Sequence, residues 1–276
     1  MYFLGDAVYG LVYYILGYRK NVVMENLRIA FPEKSEQERR RIAKNFYHNF
    51  VDTFIEAIKI ISVSEKELEK RFSADLSILD ELYAGTKNLQ LHAGHHFNWE
   101  IINWGVARHS KFPFVGVYMP IKNKALNRIF YNLRGRYGTI LVPATDFKKN
   151  FRNYVSGRYA LGLVADQNPG NPTSAYWLPF FGKLAPFVTG PEKGARLNDT
   201  AVAFGTFYKL KRGHYRLEFT LITRDPNSLP EGELTRRFVS YLEENIRRRP
   251  DNYLWSHRRW KWEYKEEYAN LRIDRS

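Results

Sequence analysis

The 276-residue chain has no cysteine. Disulfides and thiolate metal sites are thereby excluded, and the absence is compatible with a cytosolic environment. It also lacks a long hydrophobic run. The most apolar stretch, residues 7–17 within "MYFLGDAVYGLVYYILG", is shorter than the ~20 residues that span a bilayer. That segment has no basic start of the kind that opens a secretory signal. Internal repeats, heptads and low-complexity linkers are missing as well. The simplest organisation is a single domain with an N-terminal helical appendage.

What is abundant is positive charge. Lys and Arg number 43 against 29 Asp and Glu, a net +14, which predicts attraction to a polyanion: nucleic acid, anionic headgroups or an acidic carrier protein. A hydrophobic fraction of 44% supplies a substantial core, and aromatics reach 16%. Many aromatics sit beside basic residues, as in "WSHRRWKWEY" (255–264). That mixture suits a membrane interface; plain packing or a solvated tail is the competing account. No nucleic-acid-binding signature accompanies the basicity, so no nucleic-acid partner is expected. Residues 1–18 are read as a membrane-associating segment, interfacial or the stump of a longer anchor, with a buried core helix as the other possibility. Residues 19–276 form the main domain.

Ser35 and Glu38 spell a capping box, which starts a helix at Ser35. Ile42, Phe46, Phe50, Phe54, Ile58 and Ile61 then recur on one face, and the helix is expected to end near Ile61. Ser64 with Glu67 marks a second, short helix. From residue 87 strands and helices alternate. Strands are predicted at 88–93, 112–119, 139–143 and 159–166, and helices at 97–110, 123–138 and 146–157. A loop at 167–177, a helix at 190–200, a hairpin of 201–208 with 214–222, and a helix at 232–249 complete the chain. This alternation predicts an α/β fold with a mainly parallel, mixed sheet covered by helices on both faces. In such sheets ligands bind beyond the carboxyl ends of the strands. His95 and Asp166 both follow predicted strands and could share one rim.

The segment "LHAGHHFNWE" (91–100) holds three histidines and a carboxylate. His92, His96 and Glu100, at i, i+4 and i+8, could bind zinc on one continuous helix, but Gly94 and the preceding strand argue against such a helix. His95 and Glu100 make the pattern H-x-x-x-x-E. On one helix the two would diverge; with His95 in the strand-to-helix turn they can converge. Glu100 would then fix the tautomer and leave the other ring nitrogen free as a base. Histidines that merely cap or fill the turn remain the alternative.

Six collinear stretches carry a resemblance: "YRKNVVMENLRIAFPEKS" (18–35), "GHHFNWE" (94–100), "NKALNRIFYNLRGRYG" (123–138), "LVADQNPG" (163–170), "FFGKLAPFVTGPEKGARL" (180–197) and "NYLWSHRRWKW" (252–262). In that order the chain resembles the bacterial lipid A biosynthesis acyltransferases of the late, lauroyl/myristoyl type, within the glycerolipid acyltransferase superfamily. The resemblance implies transfer of a fatty acyl group from acyl-acyl carrier protein to a hydroxyl on a 3-hydroxyacyl chain of a lipid A precursor. It implies no cofactor or metal, and action at the anionic cytoplasmic face of the inner membrane. His95 matches the family's catalytic histidine and Glu100 its partner carboxylate. Arg134 and Arg136 fall where basic residues serve catalysis or substrate phosphate, with Arg136 preferred. Asp166 matches an acidic residue that orders the pocket or contacts the acceptor. The acceptor could instead be an aminolipid, a mannosylated inositol lipid or a lysophospholipid. A non-catalytic polyanion-binding protein is the reading from another class. Relatives usually start with a longer hydrophobic segment, so the anchor is expected to be short or lost.

Overall fold

The structure, a computed structural model, describes residues 2–273. The chain begins with α1 (Tyr2–Gly10), which runs into a π-helical turn over Leu11–Ile15, and continues with α2 (Lys20–Ala30) and α3 (Glu36–Ile60). Next come α4 (Glu65–Glu69), β1 (Phe72–Ala74), α5 (Ser77–Ala84), β2 (Leu89–Ala93) and α6 (Trp99–His109). The alternating core continues with β3 (Phe114–Tyr118), α7 (Lys124–Gly135), β4 (Ile140–Pro143), α8 (Ala144–Asn150) and β5 (Ala160–Val164). A hairpin of β6 (Ala175–Phe180) and β7 (Lys183–Val188) comes next, then α9 (Gly190–Leu197), β8 (Ala201–Lys211), β9 (His214–Thr223) and α10 (Glu233–Arg248).

The main sheet has seven strands in the order β1-β9-β8-β2-β5-β3-β4. Every neighbouring pair is parallel except β8 with β9. Alternation along the strands gives each face its own core. Leu89 and Leu91 of β2 join Ile101, Ile102, Trp104 and Val106 of α6 in one cluster. His92, the next residue of the strand, turns the other way and lies against Phe204 of β8 and Phe238 of α10. On that second face α10 buries Leu234, Phe238, Val239, Leu242 and Ile246, each worth roughly 1.5–3 kcal/mol of transfer from water. Helices therefore cover both faces, as the alternation predicted.

The caps form as read. Ser35 Oγ accepts from Glu38 N and the Glu38 carboxylate accepts from Ser35 N, a contribution of about 1 kcal/mol. Ser64 caps α4. The helix expected at 146–157 is shorter: it starts at Ala144, and a 3-10 turn follows Asn150. The loop expected at 167–177 ends early, because Ala175, Tyr176 and Trp177 already belong to β6. The β6–β7 hairpin closes at Phe181 and Gly182, both at positive φ (51° and 78°), the backbone that a tight two-residue turn requires.

The N-terminal segment packs on α3. Tyr9 stacks on His48 with ring centres 3.5 Å apart, and Tyr13 meets the Tyr47 ring at 5.2 Å. Phe3, Leu4, Ile15 and Leu16 stay exposed. No helix among the described residues is long and apolar enough to cross a membrane. The outer limits of the division into 1–18 and 19–276, Met1 and residues 274–276, lie outside the described residues.

In the terminal motif, 255–264, the packing account holds for its centre. Trp255 and Arg259 are wholly buried, Arg259 donates to Pro186 O and Asn168 Oδ1, and Trp260 stacks on Phe180. Trp255 is core, whereas Trp260, Trp262 and Tyr264 are half-buried.

Candidate active site

Strands β2 and β5 are parallel neighbours, with Ala93 opposite Val164. The ladder runs one step further through Ala165 N to Ala93 O at 3.1 Å. The two chains then part, and His95 and Asp166 stand at adjacent carboxyl ends, sharing one rim. His95 Nδ1 lies 2.6 Å from Asp166 Oδ1; the ring is 27% exposed and the carboxylate 1%. Gly94 permits this turn, because a Cβ there would come within 2.5 Å of Leu242 Cδ1 and 3.8 Å of Asp166 Cγ. Burial alone would raise the Asp166 pKa, but the charge and hydrogen bond of His95 outweigh it and hold the carboxyl well below its ordinary value. An ionised Asp166 makes Nδ1 the N–H donor, which in the neutral ring leaves Nε2 with its lone pair.

The terminal motif locks this turn from outside. Leu254 N donates to His95 O at 3.0 Å, and His96 forms a backbone bridge with Tyr253. Asn26 of α2 in turn donates to the carbonyls of Trp255 and His257, each at 2.7 Å. Tyr253 is buried beside Asp166; burial, then the Asp166 charge, pushes its phenol well above the usual value.

Glu100 does not take the place expected of it at the imidazole. It sits in the first turn of α6 facing α7, where Arg134 grips it: Nη2 to Oε1 is 2.6 Å and Nε reaches both oxygens at 3.1 Å. Trp99 Nε1 adds a bond at 3.1 Å. The reason is rotational: a helical position five residues on turns away from the bend that carries His95, and the partner comes from the neighbouring strand instead. The start of α6 is also fixed from α3, since Asn98 Nδ2 donates to the buried Glu56 at 2.9 Å.

Of the two arginines expected to bind substrate, Arg134 lines the cleft and Arg136 does not. Arg136 lies over the Tyr137 ring and donates to Ile61 O at 3.3 Å on the outside of α7. The structure thus brings Arg134, and not the preferred Arg136, to the cleft that His95 opens on. The zinc set is dispersed. His92 is bonded to Gln90 on the α10 face, His96 is buried against Phe207 and Tyr253, and burial lowers their pKa values to about 3 and about 4. Among the described residues no three His, Asp or Glu side chains are grouped as metal ligands.

His95, Glu100 and Arg134 open on an apolar cleft of about 480 Å³ beneath α6. Its floor is the sheet, where Gly116, Gly162 and Leu91 stand side by side in adjacent strands. The glycines keep that floor low; a Cβ on Gly162 would meet the Phe114 ring at 2.8 Å. Leu217 and Phe219 of β9 also line the cleft. The sequence held a trace of this floor in "VGV" and "LGL", where glycine interrupts buried strands.

A lipid A biosynthesis palmitoleoyltransferase of Escherichia coli (strain K12) is 22% identical over 264 residues, covering 94% of this chain and 84% of the relative. A lipid A biosynthesis acyltransferase of Shigella flexneri matches to the same extent. The profile of one family, described as bacterial lipid A biosynthesis acyltransferase, matches residues 2–262, nearly the whole chain, and the protein belongs to that family.

Proposed function

We propose that the protein transfers a fatty acyl group from an acyl-acyl carrier protein thioester to a hydroxyl of a lipid A precursor, at a membrane surface. The observation that carries this reading is the His95–Asp166 pair at the mouth of an apolar cleft that also holds Arg134. Family membership and the names of the two relatives support lipid A as the acceptor class. In this scheme the thioester carbon lies beside His95 with its chain in the cleft. His95 Nε2 takes the proton as the acceptor oxygen attacks; the new C–O bond forms and a tetrahedral intermediate results. The C–S bond then breaks, and the thiolate leaves with the proton that His95 returns. General-base help of this kind is worth about 10²–10⁴-fold.

Asp166 orients the ring and stabilises its charged form, the part that a buried carboxylate plays in other His-dependent acyl transfers. Arg134, held by Glu100 and lining the same cleft as His95, is the cation assigned to the oxyanion or an acceptor phosphate. The +14 charge suits an acidic carrier protein and an anionic bilayer alike. The exposed Phe3, Leu4, Ile15 and Leu16 support membrane contact through residues 1–18, with the main domain on the cytoplasmic face of the inner membrane. The direct test supplies purified protein with acyl carrier protein thioesters and a panel of lipid A precursors, aminolipids and lysophospholipids. Acylation of the lipid A precursor is the expected product; no acyl transfer to any lipid hydroxyl would overturn the proposal.

A further inference from the structure

The apolar stripe of α3 splits into two halves. Ile42 and Phe46 enter the core, whereas Phe54, Ile58 and Ile61 remain 44%, 63% and 48% exposed. Their i, i+4, i+7 spacing keeps them on one ridge, and Arg136 ties the far end of that ridge to α7 through Ile61 O. Between the helices runs a groove of about 160 Å³, lined by Phe54, Ala57, Ile121 and Phe130. Its inner end meets the main cleft: Trp99, Glu100, Ile121 and Arg134 line both. Arg134, at that inner end, is the basic residue of the groove lining.

We propose that this groove is a second lipid subsite, which takes an acyl chain of the acceptor while the main cleft takes the donor chain. The inference rests on the acyl-transfer reading above. An apolar groove that joins the main cleft and carries a guanidinium at its inner end fits a hydrocarbon chain attached to an anionic headgroup. The donor belongs in the main cleft, because that cleft holds about three times the space and contains His95, whereas the groove does not. A chain seated between α3 and α7 delivers its molecule to His95 from the Arg134 side, so the two substrates approach the base from different directions.

Phe54→Ser alters a half-exposed lining position and Ala57→Trp fills the groove, with thermal unfolding as the control for both. Steady-state kinetics uses a lipid A precursor dispersed in detergent, an acyl carrier protein thioester, and acceptor-free hydrolysis of that thioester. The groove predicts an acceptor KM raised about tenfold in the Phe54 and Ala57 variants, a loss of roughly one decade of affinity, with donor KM and donor hydrolysis unchanged. An unchanged acceptor KM in an active enzyme overturns the groove alone. So does a defect seen with acceptor in vesicles that disappears in detergent, since the ridge would then be a bilayer contact. A wild-type protein that acylates no lipid overturns the acyl-transfer reading and the groove with it.

Discussion

Two buried carboxylates stand at the rim of the cleft, and each holds a basic side chain at its mouth. At the strand ends Asp166, 1% exposed, holds His95; on the helical wall Glu100, 2% exposed, holds Arg134, itself 22% exposed. The architecture is the same and the chemistry differs. Imidazole titrates near neutrality and can shuttle a proton, whereas guanidinium stays charged and can only bind and polarise. A buried anion fixes the partner's position in both cases, and in the proposed reaction the partner's identity decides whether the rim moves protons or stabilises charge.

Removing the shuttle should cost most. His95→Ala is expected to lower kcat by about 10⁴-fold, measured as acyl transfer with circular dichroism unchanged; activity within tenfold of wild type would break the comparison at its stronger end. Asp166→Asn should cost about 10²–10³-fold, mostly in kcat and with a shifted pH profile, since the ring keeps its place but loses its charged partner. Arg134→Ala should cost about 10²-fold, and Arg134→Lys should restore only part of it, because lysine cannot repeat the forked contact with Glu100. Full recovery by lysine would show that charge alone suffices there. Glu100→Gln should act through Arg134 and cost less than Asp166→Asn; the opposite ranking would exchange the roles assigned to the two carboxylates.

The smallest effect concerns stability. Burial lowers His92 to about 3 and His96 and His257 to about 4, against an ordinary 6.5. The unfolded chain therefore binds more protons than the folded one between those values, so stability is fully present above pH 6.5 and declines as pH falls toward 4. Asp166 acts in the same sense lower down: its depressed pKa gives stability that is present above about 3.9 and lost as pH drops through the folded value. Urea midpoints across this range should fall on acidification, and a flat series would contradict the burial of the three rings.

The elements that place His95 were legible because the signals were local. The Ser35–Glu38 box, the strand before Gly94 and the strand before Asp166 each declared themselves within a few residues, and their parallel pairing put both side chains on one rim. The partner of His95 was not legible from "HHFNWE", since sequence proximity favoured Glu100 while the sheet register delivered Asp166 from 71 positions away. Arg136 attracted attention within "GRYG", but helical rotation turned Arg134 inward. The terminal "WSHRRWKW" suits a membrane interface or plain packing alike, and only the fold reveals that Arg259 lies over the Phe187 ring at 4.0 Å in the interior. Periodicity predicted the stripe of α3 on one face, yet it cannot say where along a helix the covering layer stops.

Nitrogen-15 NMR of the His95 ring, assigned by comparison with a His95→Gln protein, addresses the pairing without any substrate. The account predicts a neutral tautomer protonated at Nδ1 in a strong hydrogen bond, lost in Asp166→Asn and retained in Glu100→Gln. A ring protonated at Nε2, or one that ignores Asp166 and responds to Glu100, would contradict it.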